Sequence, residues 1–149
     1  MSRQDDDSPK ARQAWIRVLG KAAPAELAAE WAALPSRPAY SFLRRPETGL
    51  AMIRGRIGGD GSAFNLGEAS ATRAAIRLDG TETMGFGFVL GRDARHAELA
   101  AAFDALLQTG AAAAHAAVAR LDNARRAREA AESRRIAASK VDFFAMTRE

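Results

Sequence analysis

Residues 39–90 lack the three-to-four-residue apolar spacing that marks the rest of this chain, and that contrast constrains the fold most. Short apolar runs there are divided by turn residues. Ala39 to Arg45, Leu50 to Ile57, Ala69 to Leu78 and Thr83 to Leu90 read as four strands. Pro46-Glu-Thr-Gly49, Gly58-Gly-Asp-Gly61 and Asp79-Gly80 supply the breaks. The short first and last connections imply antiparallel hairpins. The second connection holds Phe64-Asn65-Leu66-Gly67-Glu68, which is too apolar for a free loop and is expected to pack down.

Helical spacing flanks this region on both sides. Ser8 reads as an N-cap with Pro9 at the first helical position, followed by Trp15, Val18, Leu19 and Ala22. Pro24 opens a second helix with a stripe of Leu27, Trp31 and Leu34, ended by Pro35 and Pro38. This periodicity makes both tryptophans core anchors rather than a stacking site. After the strands, Asp93 caps a helix whose buried stripe is Leu99, Phe103, Leu106 and Leu107, up to Gly110. Alanine-rich and arginine-rich helix formers then run to Lys140, with sparse apolar positions at Val118, Leu121 and Ile136. The expected fold is α+β: a four-stranded, mainly antiparallel sheet flanked by N-terminal helices and two long C-terminal helices. Residues 1–8 read as a disordered tail and 9–149 as a single domain.

Several chemistries lack material. The 149 residues include no cysteine, which removes disulfides, thiolate nucleophiles and thiolate metal sites, and suits a reducing cytoplasm. No apolar run approaches the length of a membrane span, and the polar, acidic Met1-Ser-Arg-Gln-Asp-Asp-Asp-Ser8 cannot form the core of a signal peptide. His96 and His115 are the only histidines and stand in no known ligand spacing, so no metal is expected. No serine or threonine occupies a nucleophile-elbow context. Gly58-Gly-Asp-Gly61 lacks the lysine and Ser/Thr of a phosphate loop and reads as a hairpin turn. Gly85 and Gly87 share a strand face, where they permit close approach by another backbone or a bulky partner group. Glu47, Glu68 and Asp93 have no feature marking them for proton transfer. No catalytic residue is assigned.

The net charge of +4 is carried by arginine, since Lys10, Lys21 and Lys140 are the only lysines. Strand alternation pairs Arg54 with Arg56 and Arg73 with Arg77, and neighbouring strands would make them one surface for carboxylates or phosphates. The alternative is the solvated face of a half-covered sheet. Arg120, Arg125, Arg126, Arg128, Arg134, Arg135 and Lys140 outweigh Asp122, Glu129 and Glu132 by four charges. A basic nucleic-acid-binding module is therefore the alternative reading, but no aromatic residue interleaves with this helix and no recognition signature accompanies it. Phe143, Phe144 and Met146 suggest docking of the C-terminus, on this domain's own core or on a partner.

Three segments in order carry a family resemblance. They are Arg45-Pro-Glu-Thr-Gly-Leu-Ala-Met-Ile-Arg-Gly-Arg-Ile-Gly-Gly-Asp-Gly61 with Phe64-Asn-Leu-Gly-Glu68 and Thr72-Arg73; Val89-Leu-Gly-Arg-Asp93 with Asp104-Ala-Leu-Leu-Gln108; and Val141-Asp-Phe-Phe-Ala-Met-Thr-Arg148. Together they resemble the PhnG family, the small core subunit of bacterial carbon–phosphorus lyase. Ala145 stands where the family pattern has threonine. The resemblance implies a non-catalytic subunit, required with PhnH- and PhnI-type subunits to form ribose 1-phosphonate 5-triphosphate from ATP and a phosphonate. It also implies a PhnJ-type radical S-adenosylmethionine partner with an iron–sulfur cluster. It puts no cofactor on this chain, which would act in the cytoplasm with no membrane or specific nucleic acid as partner. It makes Arg54, Arg56, Asn65, Glu68, Thr72, Arg73, Arg92, Asp93, Phe143 and Phe144 candidate structural or interface positions.

Overall fold

Apolar spacing on either side of a strand region builds the observed order α1 (Pro9–Lys21), α2 (Pro24–Ala33), β1 (Tyr40–Arg56), β2 (Ala63–Leu78), β3 (Met84–Leu90), α3 (Ala94–Gln108) and α4 (Ala112–Met146). The computed structural model describes residues 9–56 and 63–146, with backbone alone for 55, 56, 63–65 and 141–146. The expected tail at 1–8, with the Ser8 cap, and the Gly58-Gly-Asp-Gly61 turn lie outside these residues. The α+β class holds, but the described sheet has three antiparallel strands in the order β1-β2-β3, not four.

The first two expected strands are one. Pro46-Glu-Thr-Gly49 does not turn the chain back. Irregularities between Phe42 and Arg44 and between Arg44 and Glu47 absorb the proline, and pairing resumes with Glu47 opposite Arg73 and Thr48 opposite Thr72. β1 is an edge strand, where a proline need not break a ladder. Leu66, Gly67 and Glu68 do not pack down either; they extend β2 and are exposed. Pairing with β1 satisfies that backbone, so the segment needs no core to bury it.

The core lies between the sheet and the helices. Ala74, Ile76 and Leu78 of β2 and Val89 of β3 face α3, which is buried almost all round from Leu99 to Leu107. Trp15, Val18 and Leu19 of α1 and Leu27 and Trp31 of α2 complete it, as the spacing predicts. Trp31 meets Phe103 edge-on with centroids 5.2 Å apart. Gly85 and Gly87 explain how closely α3 approaches. A Cβ on either would overlap the carbonyl of Ala101 or Ala97, and would also lie 2.8 Å from Ala105 N or 2.9 Å from Ala101 N.

Asp104 is the buried polar centre of this packing, with no exposed surface. It accepts from Arg12 Nε and Nη2 at 3.2 and 2.9 Å, from Trp15 Nε1 at 2.8 Å and from Phe86 N at 2.9 Å. Its bonds to Arg12 raise that guanidinium's pKa above its ordinary value. Gln108 Nε2 donates to Met84 O at 2.7 Å. Asp104 and Gln108 therefore occupy backbone groups that β3 would otherwise offer to a fourth strand.

Candidate subunit interface

Three features face outward from this frame. The first is the sheet face opposite α3. Because Gly85 and Gly87 point at α3, alternation turns Met84, Phe86, Phe88 and Leu90 the other way. All four are exposed, Phe88 by 51% and Leu90 by 62%. Among the described residues ten large hydrophobic side chains are exposed, and nine lie on the three strands. Scattered exposed hydrophobics are normal, but a contiguous set on an uncovered face marks an interaction surface.

The second feature is a two-stranded ribbon. Among the described residues β3 pairs only with Ala71 to Arg77 of β2, leaving the distal halves of β1 and β2 paired with each other alone. Leu50 and Met52 are exposed by 71% and 59% there. An isolated hairpin is marginal in water, so such a ribbon gains from a covering surface. The third is α4. Ala114, Ala117 and Leu121 bury its start, and Arg120–Glu30 and Arg128–Glu26 ion pairs tie it to α2 at 2.7 and 2.9 Å. Residues 126–140 are exposed throughout. At about 1.5 Å per residue, Leu121 to Met146 rises roughly 38 Å.

The candidate positions separate into groups. Arg54 and Glu68 are exposed on the ribbon, and Arg56 and Asn65 lie on its backbone with side chains outside the described set. Arg73 is exposed on the outer sheet face, 3.8 Å from Glu47. Arg73 and Arg77 face away from α3, on the side opposite the buried Thr72 that Thr48 bonds, while Arg54 lies farther along the ribbon, beyond the irregularity between Ile53 and Arg54. Thr72 donates to Gly91 O at 2.8 Å, a structural lock. Asp93 is the N-cap of α3, accepting from His96 N at 3.0 Å, and Arg92 is exposed beside it. Phe143 and Phe144 lie on the last turns of α4, with side chains outside the described set.

The remaining polar groups are mostly engaged. His96 and His115 bond carbonyls of Leu19 and Leu107 at 2.8 and 3.2 Å. Among the described residues no group of three or more His, Asp or Glu is placed to hold a metal ion, and no helix is long and apolar enough to cross a membrane. The basic helix is largely paired. Arg125 and Arg126 share Asp122, Arg125 reaches Glu129, and Arg135 reaches Glu132. Bonds from Arg120 and Arg125 pull the pKa values of Glu30 and Asp122 below the ordinary carboxylate range. Burial pushes the Tyr40 phenol up, helped by its 2.6 Å bond to Glu98.

The family model of the phosphonate metabolism protein PhnG matches residues 10–149. The chain belongs to the PhnG family. A curated relative from Rhizobium meliloti (strain 1021), the alpha-D-ribose 1-methylphosphonate 5-triphosphate synthase subunit PhnG, is 46% identical over 148 residues, covering 97% of this chain and 93% of that protein. The sequence reading of this PhnG-family chain missed the outer aromatic row. Its signal was present: if Gly85 and Gly87 admit a helix on one face, Phe86 and Phe88 must occupy the other.

Proposed function

We propose that this chain is a non-catalytic subunit of the assembly that forms ribose 1-phosphonate 5-triphosphate from ATP and a phosphonate. It works beside PhnH- and PhnI-type subunits in the cytoplasm, and a PhnJ-type subunit completes the lyase core. ATP, S-adenosylmethionine and the iron–sulfur cluster belong on those partners. The observation that carries this reading is the uncovered apolar sheet in a chain whose 46% identical relative is named as a synthase subunit. A surface of that kind is an interface before it is an active site. The purified chain, given ATP and methylphosphonate, is expected to release no adenine. Release should appear with the PhnH- and PhnI-type subunits and drop when this chain is withheld. Sustained turnover by the isolated chain would overturn the proposal.

The far end of α4 belongs to the same reading. The helix carries Phe143 and Phe144 well past its last described buried residue, Leu121. Replacing both phenylalanines with alanine is expected to leave the thermal midpoint near the parent's and abolish co-purification with the PhnI- and PhnJ-type subunits. Unfolding of the isolated variant would make them core residues. Full assembly would reject the docking role.

A further inference from the structure

We propose that the outer face of the sheet, centred on Phe86, Phe88 and Leu90, docks a different subunit through apolar side chains ringed by carboxylates. The inference rests on the proposed subunit role and goes further, to the surface used and the chemistry of what covers it. Two adjoining concavities lie on this face and share Arg73 and Phe88 as a common wall. Ala71 and Ala75 floor the space between the strands, so bulky side chains can enter without meeting a bulky floor.

Charge identifies the occupant. Arg44, Arg73 and Arg77 surround the apolar row, and Glu47 is the carboxylate among them. Glu47 is shared, 3.2 Å from Arg44 and 3.8 Å from Arg73, while Arg77 makes no ion pair among the described residues. The face therefore holds two positive charges beyond its own compensation. A second copy packed by twofold symmetry would set this basic rim against itself, which is unfavourable across an interface. A chain with carboxylates around an apolar centre supplies the opposite potential and can use bidentate arginine contacts. The adjoining edge of β3 is occupied by Asp104 and Gln108, so contact is made face-on.

Two double variants of the full chain test this, each co-expressed with the PhnH-, PhnI- and PhnJ-type subunits. Phe88→Ser with Leu90→Ser removes the apolar centre; Arg73→Glu with Arg77→Glu reverses the rim. All four side chains are exposed, so both variants are expected to keep a thermal midpoint close to the parent's. Each should bind the partner subunits about thirtyfold more weakly, as loss of interface hot spots does. Parent binding should weaken with salt, whereas the arginine variant, its reversed rim repelled by the same carboxylates, should bind better as salt rises. If the serine variant misfolds, the arginine variant decides. Assembly of well-folded variants at parental affinity overturns the docking face while leaving the subunit role intact. An isolated parent dimer split by the serine pair assigns the face to a second copy and overturns the heterologous partner. Failure of the parent to join any of these subunits brings down the proposed function and this inference together.

Discussion

Replacing Asp104 with alanine is expected to cost roughly 3–5 kcal/mol, the usual penalty for deleting one member of a buried charged network. The carboxylate is fully buried and receives Arg12, Trp15 Nε1 and Phe86 N. Arg12 is partly exposed and can turn to water. Trp15 Nε1 is buried and has no such route, and an unsatisfied buried donor costs about 1–3 kcal/mol. At about 2–4 °C per kcal/mol for a chain of this length, the midpoint should fall by on the order of 10 °C. Asp104→Asn keeps one acceptor but removes the charge and sets an NH₂ group among donors, so it should fall between parent and alanine. Urea unfolding followed by tryptophan fluorescence measures all three. A loss below about 1 kcal/mol in the alanine variant would deny Asp104 its central role.

The second large effect is expected at the strand–helix contact. Gly87→Ala adds one carbon where the Ala97 carbonyl and the Ala101 amide already lie, and both are backbone atoms of α3. Neither can rotate aside, so α3 must shift as a body against the sheet. Overpacking ordinarily costs about 1–3 kcal/mol, and an obstruction by backbone on both sides belongs at or above the top of that range. Gly49→Ala is the control. Its Cβ would meet nothing within 4 Å, and the change should move stability by no more than about 0.5 kcal/mol. Equal thermal midpoints for the two variants would contradict the close packing of α3.

These two sites differ in how openly the sequence displayed them. Gly85 and Gly87 alternate within a strand, and their close approach to a helix follows from the absence of a Cβ on one face. Asp104 gave no such sign. An acid between Phe103 and Ala105 reads as the solvent side of an amphipathic helix until it is seen that α3 is buried almost all round. Its partners are 92, 89 and 18 residues away in sequence, beyond the reach of local periodicity. Trp15, Trp31 and the Asp93 cap were legible because each depends on neighbours within one or two helical turns. Pro46 misled because local turn chemistry cannot reveal that its strand lies at an edge, where a bulge accommodates it. The outer aromatic row was missed because the exposure of Phe86 and Phe88 depends on which face of the sheet α3 covers.

The bond from the Phe86 amide to Asp104 has a consequence beyond monomer stability. A strand edge with free amides and carbonyls invites any extended segment to pair with it, including the same strand of another molecule. In this chain a side chain from the neighbouring helix holds one of those amides, and Gln108 holds the Met84 carbonyl. A substitution at Asp104 would thus carry two penalties of different order in concentration. The loss of internal bonds is the same at any dilution, whereas an unsealed edge becomes more dangerous as copies accumulate. Fibrillar or amorphous aggregation would then outpace what the lowered midpoint alone predicts, and most severely in a crowded cell making the subunit ahead of its partners.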